Sequence, residues 1–167
     1  MHGGEPVDPY AALDAATSVL GVADAVRHLA RRATGADGAT FVVREDRHCF
    51  YVDEDAISPL WKGQRFPIET CISGWAMIHA APAVVPDIEQ DIRIPLEAYK
   101  PTYVRSLLMV PVGVPEPVAA LGAYWARHHQ ATPDELRALT GLASLTADAL
   151  ARVGLDDAPW APNFSGR

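Results

Sequence analysis

The sequence predicts an α+β fold built around an antiparallel β-sheet. Three observations lead to this prediction: both ends of the chain carry apolar residues at helical spacing, several β-rich segments lie between them, and two strand-to-strand connections are as short as hairpins. Parallel strands need crossover connections of a dozen residues or more, so a parallel doubly wound sheet is excluded. The expected order is helix, helix, strand, strand, helix, strand, loop or helix, strand, strand, helix.

Length and composition favour one domain. The chain has 167 residues, of which 49% are hydrophobic and 21% charged. This predicts a domain over residues 8–155, with a flexible N-terminus (1–7) and a flexible C-terminal tail (156–167). The net charge of −7 disfavours binding to nucleic acid or to an anionic membrane surface.

The compartment is predicted to be the cytoplasm. No apolar run reaches the roughly 20 residues of a membrane span. The first residues lack the basic and apolar regions of a signal peptide. Cys49 and Cys71, the two cysteines, do not have the spacing of a disulfide framework or a structural zinc site, which fits a reducing environment.

The N-terminal region predicts two helices. Asp8 can cap the first helix, with Pro9 at its first position. Gly21 is expected to interrupt this helix, and apolar residues at helical spacing continue over 22–33. Gly35 is the predicted C-terminal cap of the second helix.

Strands and short segments are predicted next. Residues 39–43 and 49–52 form a hairpin around a charged turn, and a polar connector over 53–64 leads to a short extended piece at 65–68. A helix is expected over 71–79 and a short buried strand over 83–85. Residues 87–103 form a long polar segment with one short helix near 96–99.

The C-terminal part gives the strongest patterns. Residues 104–112 are apolar on both faces, which predicts a central strand, and 118–125 form its hairpin partner. Thr132 and Glu135 form a capping box with Pro133 between them, and an apolar stripe follows to Val153. This predicts a long amphipathic final helix.

Most common catalytic motifs are absent from the sequence. It contains no Gly-x-Gly-x-x-Gly, no phosphate-binding loop and no Gly-x-Ser-x-Gly. No metal site is expected, because adjacent side chains such as His128 and His129 point apart. The acidic clusters at 53–55 and 87–91 are interpreted as solvated surface.

Cys71 leaves two interpretations open. Its position at a predicted helix N-terminus lowers a thiol pKa, which suits a redox or covalent site. A free cysteine can equally serve as a small buried apolar side chain.

Three C-terminal elements resemble those of GAF domains, which are small-molecule sensor modules of signalling proteins. They are the Ser-Leu-Leu-Met-Val-Pro-Val strand within 104–112, the Leu-Gly-containing strand 118–125 and the Thr-Pro-Asp-Glu helix start at 132. Residues 61–67, 71–76 and 91–95 further resemble GAF domains that precede bacterial sensor histidine kinases. The resemblance covers about residues 8–154. It implies a GAF/PAS-like sheet of five to six strands, sandwiched between terminal helices and a roof of short helices and lid loops.

Known specialisations of this family were compared residue by residue. The Asn-Lys…Phe…Asp-Glu pattern of cyclic-nucleotide binders does not align, and segment 97–100 lacks the cysteine that attaches a bilin. Free methionine-R-sulfoxide reductases use cysteines near Ser73 and before the central strand. Here Ser73 occupies the first place, Cys71 lies two residues away, and the second segment has no cysteine. The resemblance therefore implies a non-catalytic member with no catalytic residues.

The resemblance places a ligand pocket beneath segment 87–103. Aromatic residues there would form walls or ordinary core, Arg93 would pair with Asp87 or Asp91 or bind ligand, and Arg93 with Arg105 would favour a carboxylate or phosphate. The candidate ligand-binding residues are Trp61, Phe66, Cys71, Trp75, Asp87, Arg93, Tyr99, Tyr103, Arg105 and Trp125.

The leading functional hypothesis is a sensor of an unidentified small molecule in a two-component or similar system. Helices within 8–34 and 132–155 would form a homodimer and pass the signal to a histidine kinase or another output. One alternative is a thiol enzyme, similar to the free methionine-R-sulfoxide reductases, that uses Cys71. The other is a ligand-free dimerisation module. No cofactor can be assigned.

Overall fold

The computed structural model describes residues 8–113 and 115–155. The predicted flexible segments 1–7 and 156–167 lie outside these residues. The helices are α1 (Pro9–Ala15), α2 (Val19–Thr34), α3 (Ile72–His79), α4 (Leu96–Tyr99) and α5 (Pro133–Val153). The strands are β1 (Gly38–Glu45), β2 (His48–Ala56), β3 (Arg65–Pro67), β4 (Ala83–Val85), β5 (Ser106–Val112) and β6 (Ala119–Trp125). Single 3₁₀ turns cover Ile68–Thr70 and Ile88–Gln90.

Six strands form one sheet in the order β3-β2-β1-β6-β5-β4. Every neighbouring pair is antiparallel. The predicted α+β class and antiparallel sheet are therefore confirmed. A register shift between Phe41 and Val42 marks an irregularity in the β1–β2 ladder.

Apolar cores cover both faces of the sheet. On one face, α1, α2 and α5 pack against alternate strand residues, including Leu108 and Val110 of β5. On the other face, α3 and residues of the segment 87–103 pack against the intervening residues, including Leu107 and Met109. All four side chains are at most 1% exposed, as expected for a strand that is apolar on both faces.

The predicted helix ends are confirmed, with one correction. Asp8 accepts a hydrogen bond from the Tyr10 N–H, and the capping box of Thr132 and Glu135 is formed. Gly21, however, lies inside α2. The break falls before α2, because the Ser18 hydroxyl accepts the Gly21 N–H at 3.1 Å and caps the helix there.

Strand β2 continues four residues past its predicted end. Its acidic end is held by cations of α2. Asp55 lies 2.7 Å from His28 and 2.8 Å from Arg31, and Asp53 lies 3.3 Å from Arg27. The cluster at 53–55 is therefore a structural link between sheet and helix, and its interpretation as solvated surface is wrong.

The two ends of the domain are joined by one side chain. Arg152 of α5 donates from Nη2 to the carbonyls of Leu13 at 2.9 Å and Ala16 at 3.1 Å. Both acceptors lie at the C-terminal end of α1, where carbonyls lack helical partners. Among residues 8–113 and 115–155, no helix combines the length and apolarity needed to cross a bilayer.

Candidate functional site

The segment 87–103, here called the lid, lies over the sheet face opposite the terminal helices. Short turns and α4 shape it, and its apolar residues Ile88, Ile94 and Tyr99 are at most 7% exposed. The predicted folding of this segment over the sheet is thus observed. The predicted short helix near 96–99 matches α4.

An aromatic cluster, defined as Tyr51, Trp61, Phe66, Tyr99 and Tyr124, fills the space beneath the lid. The Trp61 ring lies edge-on to Tyr51, Tyr99 and Tyr124, with centroid distances of 5.6, 4.7 and 5.3 Å. Phe66 contacts Tyr51 at 5.5 Å in the same manner. Such edge-to-face pairs stabilise a core beyond simple burial.

Little room remains beneath the lid. The cavity there has a volume of about 10 Å³ and is lined by four members of the aromatic cluster together with Cys71, Pro95 and Ala98. One water needs roughly this volume. The space expected for a ligand beneath the lid is therefore almost filled by side chains in the structure.

Glu54 positions the loop that carries Trp61. Its carboxylate accepts the backbone N–H groups of Leu60, Trp61 and Lys62 at 2.8–2.9 Å. Trp61 in turn donates from its indole N–H to the Ala98 carbonyl at 2.9 Å, which attaches the lid. Sequence reasoning missed Glu54, since nothing in an acidic triplet shows that its middle member folds back on a loop.

An open groove of about 340 Å³ runs between α3 and the lid. It shares Cys71 and Pro95 with the small cavity beneath the lid. The lining residues are Glu69, Thr70, Cys71, Trp75, Ile92, Arg93, Ile94 and Pro95.

Arg93 and Trp75 form one side of this groove. The Arg93 guanidinium lies 4.4 Å from the centre of the Trp75 ring, a cation–π arrangement. Asp91 accepts from Arg93 Nε at 2.9 Å and Nη2 at 2.6 Å. These hydrogen bonds from Arg93 lower the pKa of the Asp91 carboxyl, against the opposing effect of burial. Pairing of Arg93 within its own lid was one of the two roles that the sequence left open.

Cys49 and Cys71 lie side by side, which the sequence did not indicate. Both are free thiols, 0% and 6% exposed, in the same apolar core, and each shifts the pKa of the other. The Ser73 hydroxyl donates to Cys71 Sγ at 3.4 Å and lies 3.0 Å from the Tyr51 hydroxyl. We call Cys49 and Cys71 the thiol pair.

The environment distinguishes the two thiols. The hydrogen bond from Cys49 is the largest influence on Cys71 and, with the Ser73 hydroxyl and the Gly74 N–H, lowers its pKa to about 7, although burial acts in the opposite direction. The same hydrogen bond and burial raise the pKa of Cys49 far above its usual range. The surroundings therefore favour a thiolate on Cys71 over one on Cys49.

Local geometry explains why α3 begins at this point. Cys71 has an extended backbone with φ −128° and precedes the first helical residue. Gly74, in the first turn, packs directly on the Ile68 carbonyl, so that a Cβ there would overlap this oxygen. The 3₁₀ turn and α3 therefore fit together only with glycine at this position.

The remaining candidate residues line neither the groove nor the cavity beneath the lid. Asp87 caps the 3₁₀ turn of the lid and lies 3.5 Å from His128. Tyr103 has its hydroxyl buried beside Gly38, and Arg105 is exposed. Trp125 belongs to the core under the terminal helices, so it is not a wall of the predicted pocket. Its neighbour Tyr124 is the β6 residue that points under the lid.

Two further observations limit the choice of site. Within residues 8–113 and 115–155, no three His, Cys, Asp or Glu residues are grouped so as to hold a metal ion. A wider groove of about 570 Å³ lies between α5 and the β5–β6 connection. Small side chains of α5 such as Ala143, Ser144 and Ala147 line it, and it contains no ring or thiol of the predicted site.

Solved structures with the same architecture perform different tasks. The free methionine-R-sulfoxide reductase from Neisseria meningitidis, solved with its substrate, has a TM-score of 0.74 at 16% identity, covering 87% of this chain and 85% of that one. The GAF domain of an Acinetobacter phosphoenolpyruvate-protein phosphotransferase has a TM-score of 0.73 at 11% identity, covering 86% and 88%. The GAF-B domain of DevS from Mycobacterium smegmatis has a TM-score of 0.64 at 22% identity, covering 78% and 90%.

These identities establish a common fold and leave the specific function open. No curated protein sequence matches the chain. The profile of the GAF domain family matches residues 16–151, which include all six strands and most of the helical face. The chain therefore belongs to the GAF domain family, whose fold serves sensing and regulation.

Proposed function

We propose that this GAF domain is a non-catalytic sensor that binds a small molecule between α3 and the lid. The observation that supports this most is the shared boundary of two spaces: Cys71 and Pro95 line both the open groove and the small cavity beneath the lid. A ligand held in the groove therefore touches the lid where it closes over the aromatic cluster. Binding there would favour one lid position over another.

The hydrogen bonds of the lid support its movement as a unit. Most described backbone bonds of this segment connect lid residues with each other, as in Gln90 to Asp87, Ile94 to Asp91 and Ala98 to Pro95. Its bonds to the rest of the fold include the Trp61 indole to Ala98 and the Ile88 N–H to Arg105. Few hydrogen bonds therefore have to break for the lid to lift.

The groove favours a ligand with an apolar part and an acidic group. Trp75 and Arg93 together form a mixed aromatic and cationic wall. Asp91 occupies two nitrogens of Arg93, Nε and Nη2, which leaves Nη1 as the donor for a carboxylate or phosphate. Cytoplasmic small carboxylates and phosphates form the ligand class that we propose.

Native mass spectrometry of protein purified from cells, followed by thermal-shift screening of carboxylates and phosphates, tests the proposal. We expect a bound molecule that raises the melting temperature of the wild type, with at least a tenfold weaker affinity in Trp75→Ala. The matched control is Ile78→Ala, on the same helix and 52% exposed. Equal binding by Trp75→Ala, or no stabilising compound in the screen, would contradict the proposal.

We further propose a homodimer through the terminal helices, coupled to a histidine kinase or another output. Tyr10, Leu20 and Leu145 support this, since they are large apolar residues of α1, α2 and α5 that are 45–49% exposed. Light scattering of the wild type and of Leu145→Glu gives the test, with Ile78→Glu as the control for an added surface charge. A monomeric wild type at high concentration would overturn the dimer.

A thiol enzyme similar to the free methionine-R-sulfoxide reductases is the second candidate. The thiol pair favours it, because a relay needs an attacking and a resolving thiol close together. Turnover of free methionine sulfoxide with a thiol reductant, lost in Cys71→Ser, would establish this activity. Absence of turnover in the wild type would rule it out.

A ligand-free dimerisation module is favoured by one observation, the filled space beneath the lid. This alternative predicts that native mass spectrometry and the thermal-shift screen find no ligand, while light scattering still shows a dimer. The experiments above therefore separate the three candidates.

A further inference from the structure

We propose that Cys49 and Cys71 form a peroxide-reactive dithiol site, in which Cys71 is oxidised first and Cys49 then closes an internal disulfide. This inference does not depend on ligand binding at the groove. It also differs from turnover of methionine sulfoxide, because a single oxidation by hydrogen peroxide or an organic hydroperoxide completes it. The proposal follows from the placement of the two thiols and from the access to one of them.

Sheet register brings the thiols together. In the β2–β3 ladder, Cys49 lies opposite Phe66 and His48 lies opposite Pro67. Cys71 follows one 3₁₀ turn later, and its thiol lies 3.6 Å from the Pro67 carbonyl, which accepts from it. The chain thus returns to the same point of the sheet after leaving β3, which places both thiols in the apolar core beneath the lid.

Access differs between the two sulfurs. Cys71 is 6% exposed and lies on the floor of the open groove, whereas Cys49 is fully buried behind it. A small peroxide can approach Cys71 from the groove. A larger reagent is excluded from Cys49, so the order of reaction is set by position.

Neighbouring groups assist the first step. The Ser73 hydroxyl donates to Cys71 Sγ at 3.4 Å and is held by Tyr51 at 3.0 Å. With the N–H of Gly74 and the Cys49 thiol, this hydroxyl stabilises a negative sulfur at Cys71. These neighbours favour the reactive thiolate form of Cys71, although burial opposes it.

The chemistry balances in two steps. The Cys71 thiolate attacks one peroxide oxygen, the O–O bond breaks, and hydroxide or alkoxide leaves and takes up a proton, which gives a sulfenic acid on Cys71. Cys49 sulfur then attacks the Cys71 sulfur, an S–S bond forms, and the sulfenic oxygen leaves as water with the Cys49 proton. Two thiols and one hydrogen peroxide thus give one disulfide and two waters.

The disulfide would connect β2 to the start of α3 directly beside the aromatic cluster. Cys71 also lines the cavity beneath the lid, together with Tyr51 and Tyr99. Oxidation would therefore alter the packing of the residues directly beneath the lid. Reduction by a cellular dithiol would restore the two thiols.

Treatment of the reduced, full-length wild type with hydrogen peroxide tests this proposal. We expect loss of both free thiols, a mass decrease of about 2 Da per chain, and one cross-linked peptide pair containing Cys49 and Cys71 under non-reducing digestion. The rate should rise with pH around a midpoint of about 7, the pKa of the Cys71 thiol. Far-UV circular dichroism before and after treatment verifies that the fold is retained.

Two single variants separate the roles of the thiols. In Cys49→Ser, a dimedone adduct on Cys71 should accumulate without a disulfide, and in Cys71→Ser the initial rate should fall at least tenfold. Two unreacted thiols in folded wild type, direct formation of sulfinic acid, or cross-links only between chains would overturn the proposal. A disulfide formed with peroxide while free methionine sulfoxide gives no turnover would support this site and reject the enzyme candidate.

Discussion

The hydroxyl of Ser73 lies 3.0 Å from the hydroxyl of Tyr51, and both residues are almost fully buried. This contact joins two parts of the site that otherwise differ in chemistry. Ser73 also donates to the sulfur of Cys71, whereas Tyr51 packs against Trp61 and Phe66. Ser73 therefore connects the thiol pair to the aromatic cluster by hydrogen bonds, in addition to the direct position of Cys71 beside that cluster.

Ser73→Ala should alter both sides of that contact. Without the hydroxyl, the pKa of Cys71 should rise above about 7, although less than in Cys49→Ala, since the hydrogen bond from Cys49 is the larger influence. The buried Tyr51 hydroxyl loses its partner, which costs about 1–3 kcal/mol of unfolding free energy. Alkylation rates against pH and urea denaturation measure the two effects. Ser144→Ala, exposed on α5, is the control, and an unchanged thiol pKa in Ser73→Ala would contradict the prediction.

Trp61→Phe should loosen the lid. The variant keeps an aromatic ring but leaves the Ala98 carbonyl without its indole donor. We expect faster amide hydrogen exchange across 96–102. We also expect the free energy of unfolding to fall by about 1–3 kcal/mol. Amide exchange in α5 should change only as far as the lower overall stability of the variant requires. If exchange in 96–102 accelerates no more than exchange in α5, the Trp61 indole does not hold the lid in place.

Gly74→Ala and Gly141→Ala form a matched pair with opposite expected signs. A Cβ at position 74 meets the Ile68 carbonyl, so overpacking should cost about 1–3 kcal/mol. Position 141 is exposed on α5, and an added Cβ there meets open space. Alanine at this position should therefore raise the free energy of unfolding by about 0.5–1 kcal/mol through its higher helix propensity. Urea denaturation of both variants gives the comparison. Equal effects would show that space at α3 is not the constraint.

Asp55 should make part of the stability dependent on pH. Burial opposes its ionisation, but the hydrogen bonds from His28 and Arg31 prevail and lower the pKa of Asp55 in the folded state. The stabilisation is therefore complete above about pH 4, the ordinary pKa of an aspartate, and is lost as the pH falls through the lowered value. The difference in unfolding free energy between wild type and Asp55→Asn should stay constant at neutral pH and shrink below pH 4. Asp14→Asn, exposed on α1, should show no such change, and a constant difference down to pH 2 would refute the assignment.

Elements with local signals could be predicted from the sequence. The capping box at Thr132, the aspartate cap at Asp8 and the glycine at 35 depend on residues within one turn of each other, and all three are present. The antiparallel sheet followed from short connections, which also act locally. These patterns were sufficient for the fold class, whereas the placement of the lid over the sheet followed from the resemblance to GAF domains.

Features that depend on strand register could not be predicted. The contact between Cys49 and Cys71 arises because β3 places Phe66 opposite Cys49, a pairing between strands separated by a polar loop. The prediction that Trp125 lines the ligand pocket was wrong for a related reason. Every residue of β6 is buried, so the apolar pattern does not reveal which face each side chain occupies. Alternation along the strand requires only that Tyr124 and Trp125 point in opposite directions.

The outermost strands limit the ways in which copies of this domain can associate. β3 and β4 flank the sheet and have three residues each, so each of these two strands offers only about 10 Å of backbone for pairing with a foreign strand. Pro67 ends one of them, and Pro86 follows the other. Short borders of this kind prevent sheets from joining edge to edge and guard against fibrous aggregation. Self-association by β-augmentation is thereby disfavoured, and the domain can be present at high concentration without recruiting its own strands.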